Sequence, residues 1–133
     1  MAGSEWTSQP DMVVFAADDV SADQLLQLDV QWRGDRAVLH VAGEVDTLTS
    51  PLLTQQLTEL FDAAPSVVVL DLNAVNFLSS SGLAAMMEAR TEAQRRDISL
   101  QIVCSTHAVL RPLTTTGLVA EFDTYPDLQT ALG

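Results

Sequence analysis

Lysine is absent from this chain of 133 residues, in which six arginines stand against 18 Asp and Glu residues and leave a formal net charge of -12. Nucleic-acid binding and attachment to anionic membranes both depend on Lys and Arg side chains meeting phosphates. The composition therefore predicts no nucleic-acid partner and no membrane binding. The acidity either keeps the protein soluble or favours a partner with a basic face, and composition leaves both readings open.

Cysteine is nearly absent as well, since Cys104 is the only one. A single cysteine excludes an internal disulfide and a cysteine metal cluster. Because Cys104 ends an apolar run, we expect a buried, inert thiol. The chain also lacks a signal-peptide pattern and any apolar run near the roughly 20 residues that a membrane helix needs. These absences predict a cytoplasmic protein without membrane insertion.

Catalytic motifs are missing too. The acidic residues show no metal-loop spacing, and there is no glycine-rich phosphate loop. A serine-rich stretch lacks the Gly-x-Ser-x-Gly elbow of hydrolases, and the sequence identifies no catalytic partner for either His40 or His107. We therefore expect no metal and no cofactor, and the protein is predicted not to be an enzyme.

The length suits one domain with a single core. Residues 1–26 form a separate acidic segment with one apolar island, and we predict a mobile or loosely docked extension. Residues 27–133 are predicted to form the domain. Within it, alternation of apolar and polar residues over 28–43 predicts a β-hairpin that turns at Gly34-Asp35.

Strand and helix patterns alternate after the hairpin. Thr49-Ser50-Pro51 is typical of a helix start with a hydroxyl cap, and a short buried strand is predicted over Val67–Leu70. The remaining predicted elements are a helix from about 83 to 95, a strand over 97–104, a short helix after Ser105-Thr106, a strand over 121–125 and a final helix. This order, β-β-α-β-α-β-α-β-α, predicts an α/β fold whose mixed sheet is covered by helices mainly on one face.

The stretch between the third strand and the next helix is the most informative. It is interpreted as a buried strand, a loop and a helix opened by Ser79, Ser80 and Ser81. Hydroxyls at a helix start lie among unpaired backbone N–H groups and the positive end of the helix dipole. One of them caps the helix, and the others are free to meet a phosphate, either bound or attached to serine. Plain helix capping is the alternative, and composition alone favours it.

Three motifs together resemble a known family. Asp71-Leu72 followed by Val75–Leu83 resembles the signature of STAS domains in bacterial anti-sigma-factor antagonists. Gly43–Asp46 is similar to the family's Gly-Glu-Ile/Leu-Asp turn, and Thr116–Leu118 resembles its late helix-end motif. The three occur in the family's order over residues 28–132. The resemblance implies a STAS-like fold with a small mixed sheet and helices on one side.

The resemblance also implies a function. Such an antagonist binds an anti-sigma factor, often a serine kinase with a GHKL-type ATP site, and so frees a sigma factor. The kinase phosphorylates a serine at this helix start and a phosphatase reverses the reaction. Motif position makes Ser80 the acceptor, with Ser79 and Ser81 as rivals. The family usually has Asp before the acceptor, whereas this chain has Ser79, so binding without phosphate control remains an alternative.

By the same resemblance, partner contacts are expected from Glu44, Asp46, Ser79, Ser81 and Gly82. Asp46 has a second interpretation, since an Asp in this position also tightens a turn before a helix. Two other functions remain open. The protein could be an unphosphorylated STAS subunit of a signalling or transport assembly, or a STAS module that senses a small ligand.

Overall fold

Strands and helices alternate after an opening hairpin, as the sequence predicts. A computed structural model describes residues 25–133. Its strands are β1 (Leu26–Arg33), β2 (Arg36–Val45), β3 (Val67–Leu78), β4 (Ser99–Val103) and β5 (Asp123–Tyr125). Its helices are α1 (Ser50–Asp62), α2 (Ser80–Arg95), α3 (His107–Thr115) and α4 (Leu128–Leu132), with a 3₁₀ turn over Leu118–Glu121. The predicted α/β class and the predicted order are confirmed.

The five strands form one sheet in the order β1-β2-β3-β4-β5. The first two strands are antiparallel, and each later neighbour is parallel. Gly34 supplies the positive φ of 66° that the tight β1–β2 turn needs. The hairpin extends two residues beyond the predicted range at each end. Most of the predicted N-terminal extension, residues 1–24, lies outside the described residues.

The main core lies between the sheet and helices α1, α2 and α3. Side chains that alternate along the strands point into it, and each helix adds an apolar stripe. Fully buried examples are Leu39, Leu70 and Ile102 from the strands and Leu57, Met86 and Leu113 from the helices. A smaller cluster on the opposite face packs Val38, Val69 and Val103 against Ala131 of α4. Helices therefore cover mainly one face, as predicted.

The third strand is longer than predicted. The sequence indicated a strand over Val67–Leu70 and then a loop, whereas β3 continues to Leu78. Its pairing with β2 is irregular between His40 and Ala42 and between Gly43 and Glu44. Such bulges interrupt the alternation by which a strand is recognised. The extra length carries the chain directly to the serines, and α2 begins at residue 80 rather than near residue 83.

Two further expectations concerned the burial of Cys104 and the absence of a membrane-spanning helix. Cys104 is buried, as predicted, and burial raises the pKa of its thiol. A raised pKa keeps the thiol protonated and unreactive. Within residues 25–133, no helix combines the length and the apolar character needed to cross a bilayer.

Candidate functional site

The parallel pairing of β2 and β3 brings two chain segments to one edge of the sheet. The strands are parallel, so their carboxyl ends meet there, with Val45 opposite Leu78. The backbone N–H of Ser79 donates to the carbonyl oxygen of Val45 at 2.9 Å. The loop that follows β2 and the first turn of α2 therefore lie side by side. This edge, formed by residues 44–49 and 77–82, is called the serine edge below.

The three serine hydroxyls of the serine edge have different environments. Ser79 is the N-cap of α2, and its Oγ accepts a hydrogen bond from the backbone N–H of Gly82 at 3.3 Å. The Oγ of Ser81 lies 2.9 Å from the Oγ1 of Thr47. Ser80 is exposed, and its hydroxyl bonds to no other residue in the described part of the chain. The cap predicted among the serines is thus Ser79, and the one free hydroxyl of the described trio is Ser80.

Gly82 allows α2 to approach the sheet closely. A Cβ at this position would lie 2.6 Å from Leu78 Cδ1 and 2.7 Å from Val45 Cγ1, closer than real Cβ contacts. Gly82 is itself buried, so the geometry gives it a packing role inside the domain. Its predicted contact with a partner stays a prediction.

Asp46 holds the loop between β2 and α1. Its Oδ1 accepts hydrogen bonds from the backbone N–H groups of Leu48 at 2.9 Å and Thr49 at 3.0 Å. The turn-tightening interpretation of Asp46 is therefore supported. A partner contact for Asp46 is not tested by this geometry and stays a prediction.

Thr49 does not act as the hydroxyl cap that the sequence predicts for α1. It occupies the N-cap position, yet its side chain makes no capping bond to the helix. The hydroxyl is fully buried and donates to the carbonyl oxygen of Glu44 at 2.7 Å, while it accepts from the N–H of Asp46 at 2.8 Å. Because the loop folds back on its own strand, this hydroxyl satisfies loop atoms instead of helix atoms.

Two large apolar side chains at the serine edge were not singled out by the sequence analysis. Leu48 is 55% exposed and Phe77 is 49% exposed. Leu48 lies in the loop that Asp46 holds, and Phe77 lies opposite Glu44 near the end of β3. Both could have been suspected, since an apolar residue in a stretch assigned to loops has no obvious core to enter.

The chain segment that contains the serine edge carries no positively charged side chain. Residues 37–89, which contain the whole serine edge, include no arginine or lysine. Glu44 is half-buried, and its carboxylate forms no ion pair with the residues that the structure describes. The described arginines that form ion pairs are Arg90 and Arg95 in the second half of α2 and Arg96 at its C-cap.

His40 has a partner that the sequence analysis missed. Its Nδ1 lies 2.8 Å from Asp71 Oδ2, and its Nε2 lies 3.0 Å from Gln31 Oε1. His40 alternates with core residues of β2, so the pair sits on the sheet face turned away from α1, α2 and α3. The β2–β3 register that places His40 opposite Asp71 was the missing signal. Neither ring nitrogen contacts a serine of the serine edge, so the pair forms no catalytic triad with them.

Comparisons with known proteins agree with this architecture. The family model described as the STAS domain matches residues 27–131. The anti-sigma-F factor antagonist RsfB of Mycobacterium tuberculosis is 30% identical over 113 residues, which cover 85% of this chain and 92% of RsfB. The crystal structure of an anti-sigma factor antagonist from Mycobacterium paratuberculosis superposes with a TM-score of 0.76 at 32% identity, covering 85% of this chain and 96% of that one.

A more distant structure shares the fold alone. The phosphorylated form of the Bacillus cell fate determinant SpoIIAA matches with a TM-score of 0.61 at 13% identity, covering 79% of this chain and 96% of that one. The family match and the two mycobacterial relatives span nearly all of the described domain. The chain therefore belongs to the STAS domain family of anti-sigma-factor antagonists, which are regulators and not enzymes.

Proposed function

We propose that this protein is an anti-sigma-factor antagonist that binds an anti-sigma factor through the serine edge and so releases a sigma factor. Its relatives RsfB and the Mycobacterium paratuberculosis protein are named as such antagonists, and each alignment covers 85% of this chain. The serine edge supports the proposal because it combines an exposed hydroxyl, exposed apolar side chains and a loop held by internal hydrogen bonds.

Ser80 is the proposed phosphorylation site. A kinase must bring the acceptor oxygen to the γ-phosphate of ATP, so the hydroxyl has to be accessible. Ser80 meets this condition, whereas Ser79 is committed to capping α2 and Ser81 to its bond with Thr47. The freedom of the Ser80 hydroxyl, set against its two engaged neighbours, is the observation that carries the proposal.

The replacement of the family's Asp by Ser79 is compatible with this proposal. Ser79 already supplies the side-chain oxygen that accepts from the N–H of Gly82. Capping is thus retained, while the negative charge beside the acceptor is lost. That loss favours a kinase whose recognition of the serine edge does not depend on a carboxylate before the acceptor.

A phosphate on Ser80 would leave the domain folded. Ser80 is the first residue of α2, where the helix dipole and unpaired backbone N–H groups favour an anion. The added charge of about -1.5 to -2 would meet no arginine from residues 37–89. It would therefore face the partner, which must desolvate it or move away. A cost of about 3 kcal/mol would lower the affinity roughly a hundredfold.

We further propose that the partner is a serine kinase with a GHKL-type ATP site and that a phosphatase removes the phosphate. The test is to incubate the full chain with Mg-ATP and each anti-sigma kinase of this type from the same genome. Binding is measured by calorimetry, and the modified residue is mapped by mass spectrometry. We expect binding, phosphate on Ser80, and release of the kinase after phosphorylation.

Three matched variants separate the outcomes. Ser80→Ala should bind and remain unmodified, while Ser79→Ala and Ser81→Ala should still accept phosphate. Modification of Ser79 or Ser81 in the wild-type protein would contradict the acceptor assignment. Tight binding without phosphate would leave an unswitched antagonist or a scaffold subunit. The antagonist proposal itself fails if a complete set of anti-sigma factors shows no binding.

A further inference from the structure

We propose that Leu48 and Phe77 are the apolar anchors that hold the anti-sigma factor, and that the partner surface they meet has an apolar centre bordered by basic residues. This inference rests on the proposed function and specifies the chemistry of the partner at the same edge. It makes the hydroxyl of Ser80 a neighbour of the anchors rather than the main source of affinity.

Exposure is the first argument. Three large apolar side chains are substantially exposed within residues 25–133: Leu48 at 55%, Phe77 at 49% and Trp32 at 44%. An exposed apolar patch with polar residues at its border marks a contact surface, and the proposal assigns Leu48 and Phe77 to one such patch. A few such residues usually provide most of the affinity of an interface.

Position is the second argument. Leu48 follows Thr47, whose hydroxyl bonds to Ser81, so its loop lies against the first turn of α2. Phe77 precedes Ser80 by three residues at the end of β3. The two side chains thus belong to the serine edge. Trp32 pairs with Ala37 beside the hairpin turn, at the opposite end of the parallel strands.

The loop that carries Leu48 is held in place by hydrogen bonds. Asp46 accepts from the N–H of Leu48 at 2.9 Å, and its own carbonyl accepts from the N–H of Ser50 at 2.8 Å. Loop ordering normally opposes association, and a loop that is ordered beforehand removes that cost. Leu48 is therefore presented to a partner in a fixed position.

Charge indicates the border of the partner surface. The serine edge carries Glu44 and Asp46, and residues 37–89 supply no compensating arginine or lysine. A basic border on the partner would complement these carboxylates and accelerate encounter. An apolar centre would meet the anchors. The proposal places Ser80 in the apolar part of the contact, where the unpaired charge of a phosphate is costly.

The experiment uses the full chain and an anti-sigma factor that the wild-type protein binds. Leu48→Ser and Phe77→Ser are compared by calorimetry with Trp32→Ser, a control that removes an apolar side chain of similar exposure from the opposite end. We expect each anchor variant to lose at least tenfold in affinity and the control to change less than twofold. The association rate should fall as the salt concentration is raised, because salt screens the attraction between the carboxylates of the serine edge and the basic border of the partner.

Several outcomes would overturn the inference. Binding by both anchor variants at wild-type strength would do so, as would an equal loss in the Trp32 control. A wild-type dimer in light scattering that Phe77→Ser converts to monomer would assign the surface to a second copy of this chain instead. If circular dichroism shows that Leu48→Ser or Phe77→Ser is misfolded, a photoreactive residue at 48 must crosslink the partner and one at 32 must not. Absence of any binding by the wild-type protein would instead count against the proposed function.

Discussion

The Oγ1 of Thr47 and the Oγ of Ser81 lie 2.9 Å apart, so one hydrogen bond joins the loop after β2 to the first turn of α2 across 34 positions of sequence. The bond connects the two segments that form the serine edge. It also removes Ser81 from the set of freely accessible hydroxyls and leaves Ser80 beside it unengaged.

A double-mutant cycle measures this bond. Thr47→Val and Ser81→Ala each remove one hydroxyl, and we expect a coupling free energy of about 0.5 kcal/mol in urea unfolding, because exposed neutral hydrogen bonds contribute at the low end of the usual range. Both single variants should stay folded. Strictly additive effects would show that the two hydroxyls do not interact in solution.

Ser80→Glu tests the sensitivity of the surface to negative charge. Because the partner would have to accommodate an unpaired carboxylate, we expect at least a tenfold loss in affinity for the anti-sigma factor. Ser80→Ala should bind like wild type. Ser66→Glu is the matched control, since Ser66 is also exposed but lies just before β3, at the far end of the strands. A similar loss for Ser66→Glu would point to a nonspecific effect of net charge.

Gly82→Ala tests the close approach of α2 to the sheet. The new methyl would meet Leu78 and Val45 at less than 3 Å. Overpacking costs about 1–3 kcal/mol, and two contacts below 3 Å place this site in the upper half of that range. After the gain of about 1 kcal/mol that Ala brings to a helix over Gly, we expect the free energy of unfolding to fall by about 1–2 kcal/mol in urea titration. Ser80→Ala, an exposed change in the same turn, should be nearly neutral.

Asp46→Ala and Glu44→Ala separate a structural carboxylate from a surface one. Loss of the hydrogen bonds that Asp46 accepts from the N–H groups of Leu48 and Thr49 should cost about 1–2 kcal/mol of stability, as loss of a helix cap does. Glu44→Ala should change stability by less than about 0.5 kcal/mol, because its carboxylate has no ion pair among the described residues. Equal effects of the two substitutions would contradict the turn role of Asp46.

The lowered pKa of Glu92, which lies away from the serine edge, predicts that stability depends on pH. Hydrogen bonds from Arg95 and then Arg96 lower the pKa of this carboxyl below its ordinary value of 4.5, and Arg96 also bonds Asp62 of α1. A lowered carboxyl pKa adds stability that is complete above the ordinary value and is lost as the pH falls through the folded-state value. The melting temperature of Glu92→Gln should therefore fall less than that of the wild type when the pH is lowered from 6 to 3. Parallel melting curves for the two proteins would refute the linkage.

The order of elements could be predicted because each element carries a local signal. Period-two alternation predicted the hairpin, and Thr49-Ser50-Pro51 predicted the start of α1. The end of β3 was not predicted because the register with β2 shifts between His40 and Ala42 and between Gly43 and Glu44. A local pattern does not contain the partner strand, so these shifts are not visible in the sequence. Tertiary packing decided where β3 stops.

The sequence predicted which residues form the candidate site, but it predicted fewer of their hydrogen bonds. Ser79 as cap follows from residue type and position alone. The bond between Thr47 and Ser81, and the pair formed by His40 and Asp71, join residues more than 30 positions apart, so they depend on how the strands align. The exposure of Leu48 and Phe77 also depends on the finished fold, since apolar residues are expected inside until the core is full.

A phosphate attached to the isolated hydroxyl of Ser80 would be long-lived. Phosphate monoesters hydrolyse extremely slowly in water without a catalyst. Within residues 25–133 the imidazole of His40 is bound to Asp71 and Gln31, so it is not free to activate water toward Ser80. A phosphate placed on Ser80 would then outlast many cycles of partner encounter. The molecule would work as a record of past kinase activity, erased only when a separate enzyme acts on it.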